Sequence, residues 1–170
     1  MLLVNALTPL ALAAAVATLG AEPLAGSIVA QHPIAYAAAD TLPVPSMFPL
    51  GFQAPNVHHT GKVWLSGLAA STDTFPYGMA VANCAAGSRL DWHSHPGGQR
   101  LLVTEGKGYH QERGQPARVI RPGDVVECPP DVDHWHSGSP DTGVVYVALY
   151  AGGETEWAEP VTDEDYYSAE

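Results

Sequence analysis

The sequence predicts an all-β protein, a barrel or sandwich of short strands for which a jelly roll is the natural candidate. Three observations lead there. Glycine (17) and proline (15) together make up nearly a fifth of the 170 residues, which favours tight turns over long helices. Between Gly61 and Gly153, strand-length apolar runs recur between Gly and Pro, and several alternate with period two. Outside the alanine-rich N-terminus, no window carries ten residues of helical periodicity.

Taken in order, the chain opens with an apolar leader over residues 1–40, in which Leu2–Ala21 (LLVNALTPLALAAAVATLGA) is the most hydrophobic part. It reads as the h-region of a secretory signal, with small-residue cleavage sites near Gly20-Ala21 or before Asp40. No Lys or Arg precedes Lys62, so the basic n-region of such a signal is missing. A weakly hydrophobic membrane span and an unstructured extension stay open beside it, and so do export and a cytoplasmic location. Residues 41–60 form a Pro-rich lead-in without periodicity. Residues 61–153 form the barrel, with the runs KVWLSGLA, YGMAVANCAAG, QRLLVTEG, GYHQER, ARVIRPGD, DVVECPP, HWHSG and GVVYVALYA as its strands. EGKG (Glu105–Gly108) reads as a hairpin turn and R-P-G-D (Arg121–Asp124) as a β-turn. Residues 154–170 hold seven acids and read as a solvated tail, with Trp157, Tyr166 and Tyr167 available to pin it to the barrel.

Charge narrows the partners. Seven Lys/Arg against eighteen Asp/Glu give a net charge of −11, which repels phosphate backbones and anionic lipid. Nucleic acid is excluded, as is a membrane beyond the leader itself; a small-molecule substrate and a second copy of the chain, as a homodimer, are the partners expected. Two cysteines, Cys84 and Cys128, are too few for a disulfide framework or an all-cysteine zinc site.

The histidines carry the chemistry. Five of the eight fall within residues 93–136. In D-W-H-S-H-P-G-G-Q (Asp91–Gln99), His93 and His95 are two apart, so on a strand both imidazoles leave the same face. H-W-H places His134 and His136 together in the same way. Convergent imidazoles with the amide oxygen of Gln99 suit a first-row divalent metal such as Mn, Fe, Ni, Cu or Zn, whereas Ca and Mg prefer all-oxygen sites.

Gly87, five residues, His93-Ser94-His95, three residues, Gln99, six residues, Gly106 resembles the first cupin motif, with Gln where that motif usually has Glu. Gly123, five residues, Pro129, then His134 and Gly138 resembles the second, with Asp131 in place of its usual Gly and Gly138 in place of its usual Asn. Sixteen residues separate the two. Within cupins, WHSHPGGQ, LLVTEGKGY, PGDVV, HWH and VTDEDY are similar to small bacterial cupins that include the manganese-dependent hydroxynitrile lyases. The resemblance implies a single-domain cupin barrel binding one divalent transition metal, Mn or Fe before Ni, Cu or Zn, through His93, His95, Gln99 and His134.

Three imidazoles and an amide are all neutral, so a bound ion would keep its full charge and polarise a carbonyl or hydroxyl strongly. His136 reads as a general acid/base or as a hydrogen-bonded pocket histidine. Tyr146 falls where the lyases carry their base histidine, and a phenol is a poor base at neutral pH. Tyr109 and Gln111 are expected to face the pocket and His110 to face outward; Trp92 and Trp135 should pack on the outer face of their strands. Three functions compete: Lewis-acid lyase or isomerase chemistry, an oxygen-dependent cupin dioxygenase, and a non-catalytic metal or small-ligand binding module.

Overall fold

The structure, a computed structural model, describes residues 42–169, so the expected leader lies outside the described residues. Thirteen short strands run in the order β1 (Phe52–Gln53), β2 (His59–Thr60), β3 (Val63–Ala69), β4 (Gly78–Cys84), β5 (Arg89–Leu90), β6 (His93–Ser94) and β7 (Gln99–Gly106). They continue with β8 (Gly108–Glu112), β9 (Arg118–Ile120), β10 (Val125–Cys128), β11 (His134–Gly138), β12 (Val144–Tyr150) and β13 (Glu156–Trp157), before the helix α1 (Asp163–Tyr167). One sheet has the order β1-β3-β4-β12-β7-β10; the other joins β13, β6, β11, β5 and β2, with β8 on β11 and β9 on β8. All eight apolar runs read from the sequence are strands. No helix among the described residues is long and apolar enough to cross a membrane.

The two sheets face each other across a core of Val63, Ala82, Cys84, Leu101, Val103, Ile120, Val126, Val144 and Tyr146. Period two sends Leu101 and Val103 inward and leaves Leu102 half exposed on the outside. R-P-G-D forms its turn, with Asp124 N–H donating to the Arg121 carbonyl at 3.0 Å. E-G-K-G is not a hairpin, and this corrects the sequence reading: β7 pairs with β12 and β10, β8 with β11 and β9. The chain instead crosses from one sheet to the other within one residue. Gly106 makes that corner, with φ of 78° and the Gly143 carbonyl so near that a Cβ would sit 2.0 Å from it.

Both ends of the described segment cover the outer faces. On the first sheet, Val81, Val145 and Val147 pack under Val44 and Phe48. The Asn83 amide holds this lead-in like a strand partner, accepting from Val44 N–H at 3.0 Å and donating to its carbonyl at 2.7 Å. Outside the second sheet lies an aromatic cluster of Trp92, Tyr109, Trp135 and Tyr166, with Val161. The acidic tail keeps most of its acids exposed but is pinned to the barrel: Tyr166 is buried and its hydroxyl donates to the Gly138 carbonyl at 2.7 Å. The α1 helix is a feature the sequence reading did not single out, although T-D-E-D carries its signal. Thr162 caps it by accepting from Asp165 N–H, and three acids fill the first turn.

Candidate metal centre

Strand β6 carries His93, the following turn His95, and strand β11 His134. β6 pairs with β11 so that His93 lies directly opposite His134, which puts both side chains on the inner face. The His93 and His134 ring centroids are 4.4 Å apart, and His95 is 5.2 Å from His93 and 5.5 Å from His134. One ligand nitrogen from each of the three lies within 4.8 Å of the others.

Hydrogen bonds fix which nitrogen each ring offers. His93 Nδ1 lies 2.7 Å from the Asp91 carbonyl and His134 Nδ1 2.9 Å from that of Val132. A carbonyl only accepts, so both Nδ1 atoms hold the proton and both Nε2 atoms keep a lone pair. Burial depresses all three histidines: His93 falls well below the usual imidazole range and His134 is lowered too. For His95, burial and then His134 press it down to about 4, against a pull from the Gln99 side chain. All three are neutral at pH 7, the form that binds metals.

Nε2 of His95 and of His134 and Oε1 of Gln99 are buried with no hydrogen-bond partner. An unsatisfied buried polar atom costs about 1–3 kcal/mol, and fully formed proteins seldom leave several together. An amide oxygen and unprotonated imidazole nitrogens are the donor atoms a cation would satisfy. The residues present fit a divalent transition metal. Cys84 and Cys128 are both free and lie outside that set; burial pushes their thiols up to about 11 and about 12 respectively, so neither is a thiolate.

His136 and Tyr146 form a second, contiguous pair. The Tyr146 oxygen is 2.8 Å from His136 Nδ1 and 3.6 Å from Cys84 Sγ. Burial drives the phenol well above its ordinary value and the imidazole well below. Both are neutral, and nitrogen is the better acceptor, so the phenol donates to Nδ1. The proton of His136 is then on Nε2, which is buried and without a partner. The strand pairing of β12 with β7 slips at Val145/Tyr146, a bulge of the kind that re-aims a side chain beside a site.

The cavity over this centre has a volume of about 680 Å³. Leu65, Ala80, Ala82, Leu90 and Ala148 form its apolar wall; His93, His95, Gln99, His136 and Tyr146 are its polar lining. The segment from Tyr150 to Thr155, with Trp157, closes one side. Trp157 stacks on His58 with centroids 4.4 Å apart and lies 5.0 Å from the His93 ring.

Strand β8 has the opposite phase to the one expected. His110 is buried inside, its ring 6.0 Å from His134 and its Nε2 3.6 Å from Cys128 Sγ. Tyr109 joins the outer aromatic cluster, and Gln111 accepts from the Trp135 indole at 2.8 Å. The cause is register: Trp135 pairs with Gln111 and His136 with His110, so an outward Trp135 forces an outward Gln111. Trp92 and Trp135 do pack outside, edge to face at 6.4 Å. Thr155 and Glu154, at the cavity, carried no signal in the sequence, because neither cupin motif reaches them.

The Cupin domain family matches residues 80–150. The chain is 38% identical over 110 residues to an (R)-mandelonitrile lyase of Granulicella tundricola, a span of 63% of this chain and 84% of that protein. Its fold is similar to the crystal structure of a cupin-like protein from Thermotoga maritima, at 40% identity and a TM-score of 0.70, covering 74% of this chain and 98% of that one. A predicted oxalate decarboxylase from Thermotoga maritima shares the fold alone, at 19% identity and a TM-score of 0.53, over 59% of this chain and 90% of that one.

Proposed function

The chain belongs to the cupin superfamily, and from that premise we propose that it is a metal-dependent lyase acting on a small neutral molecule with one hydroxyl or carbonyl and an apolar body. One observation carries the reading: three neutral imidazoles, two of them buried, converge, and Nε2 of His95, Nε2 of His134 and Gln99 Oε1 lack partners beside a largely apolar cavity. His93, His95, Gln99 and His134 hold the ion, with Mn or Fe preferred. When bound, the ion supplies Lewis acidity to an oxygen of the substrate.

The chain's own residues do the rest. Leu65, Ala80, Ala82 and Ala148 take the apolar body and exclude water from it. His136 offers its Nε2–H to the substrate oxygen, and Tyr146 keeps the proton on that nitrogen by donating to Nδ1. This makes His136 a hydrogen-bond donor and Tyr146 the residue that orients it. The identity to an (R)-mandelonitrile lyase supports cyanohydrin cleavage as the reaction to try first.

A second reading, a small-ligand binding module without turnover, is favoured by Tyr146 itself. A buried, neutral phenol stands where the resembling lyases carry a base. The test is Mn(II)-loaded protein with mandelonitrile, following aldehyde absorbance with and without oxygen. Metal-dependent aldehyde release independent of oxygen supports the lyase. Release that consumes oxygen moves the reading to a dioxygenase, and saturable binding without turnover moves it to the module.

A further inference from the structure

The three histidines are not held alike. His93 and His134 each donate to a carbonyl two residues earlier on their own chain, a fixed backbone partner. For His95 the partner of Nδ1 is a side chain sixty residues away, the Thr155 hydroxyl at 3.3 Å. A carbonyl dictates the tautomer because it can only accept; a hydroxyl can do either, so its placement decides.

That placement is tight. Thr155 follows Gly152 and Gly153, both at positive φ, and precedes β13, whose Glu156 and Trp157 pair with Ser94 and His93. Upstream, Gly97 approaches so closely that a Cβ would lie 1.8 Å from the Ala151 carbonyl oxygen, and one on Gly153 would meet Pro96 Cγ at 2.9 Å. The segment is thus laid against the His93–Gly97 stretch along its length. Threonine is also β-branched, with few χ1 rotamers to lose.

We infer that Thr155 is the positioning residue for His95: its hydroxyl accepts from Nδ1–H and so keeps the His95 Nε2 lone pair turned toward His93 and His134. This rests on the metal-site reading above and extends it to the C-terminal segment, which neither motif includes. Second partners of this kind change metal affinity by about 10–100-fold when removed, because ring orientation and tautomer are lost with them.

Thr155→Val removes the hydroxyl at nearly constant shape; Thr155→Ser keeps it. Mn(II) is titrated into metal-free wild type and both variants, with free Mn(II) read by electron paramagnetic resonance. Long-range nitrogen–proton correlation of the metal-free proteins reports the tautomer of each histidine. Thr155→Val should bind Mn(II) about 10–100-fold more weakly and Thr155→Ser within about threefold of wild type. The His95 nitrogen shifts should change in Thr155→Val while those of His93 and His134 stay. Unchanged affinity and unchanged His95 shifts in Thr155→Val overturn the inference, as does a Thr155→Ser variant as weak as Thr155→Val. Thr155→Ala repeats the comparison if valine disturbs the packing. If wild type takes up no Mn(II), the metal reading fails, while the His95 shifts still decide the role of Thr155.

Discussion

The two sheets do opposite work on the inner faces they turn to each other. The β1-β3-β4-β12-β7-β10 sheet sends in Val63, Ala82, Leu101, Val103, Val126 and Val144 and holds the barrel together. The sheet built on β11 sends in His93, His110, His134 and His136, all buried and all desolvated. Burial stabilises the first set and strains the second, since each imidazole loses water and finds only one hydrogen bond or none. The barrel tolerates the histidine face because the aliphatic face and the two aromatic and aliphatic flanks outside supply the stability. A site is thus kept in a chemically costly arrangement by the packing of the barrel around it.

That contrast can be broken from either side. Leu101→Ala should lower unfolding stability by about 2–5 kcal/mol in urea titration while leaving Mn(II) stoichiometry unchanged, because the loss is a cavity in the aliphatic face. His134→Leu should do the reverse. It removes an orphaned nitrogen for an apolar side chain, so the metal-free variant at pH 5 should unfold at a urea concentration equal to or above that of wild type. A His134→Leu protein as damaged as Leu101→Ala would mean the histidine face is part of the structural core.

Acid sharpens the comparison further. His95 titrates at about 4 and His110 at about 3 in the fold, both below the unfolded value of about 6.5. Below pH 6.5 the unfolded chain takes up protons that the folded one refuses, so metal-free stability falls as pH drops toward those values. For buried His110 the slope approaches about 1.4 kcal/mol per pH unit between 6.5 and its folded value. Urea midpoints at pH 7, 6, 5 and 4 should decline in wild type and decline less steeply in His110→Gln. The smallest effect belongs to the outer flank: Tyr166→Phe loses the bond to the Gly138 carbonyl and should cost about 1 kcal/mol in the thermal or urea midpoint, with the cavity unchanged.

Much of this was legible in the chain. Gly and Pro punctuate every strand from Val63 to Tyr150, and two-residue spacing in H-S-H and H-W-H put the imidazoles on a common face. What escaped was non-local. Whether E-G-K-G folds back or turns a corner depends on barrel closure, and the four residues fit both. The phase of β8 is set by Trp135 across the strand pair, so counting along β8 alone sent His110 outward. Asp131 occupies the left-handed region at φ of 61° where the motif has Gly, a conformation Asp accepts more readily than most residues. In the tail the aromatic anchors stood out against the acids, but Thr155 did not, because its contact with His95 exists only in three dimensions.

The most direct measurement of the central claim is elemental analysis of protein purified without chelators, beside its His134→Ala variant checked for folding by circular dichroism. About one transition-metal ion per chain is expected in wild type, with loss of the ion in His134→Ala, since the proposed set of four neutral ligands would lose a buried imidazole. Full occupancy in folded His134→Ala, or no metal in wild type even after soaking with Mn(II) and Fe(II), would contradict it.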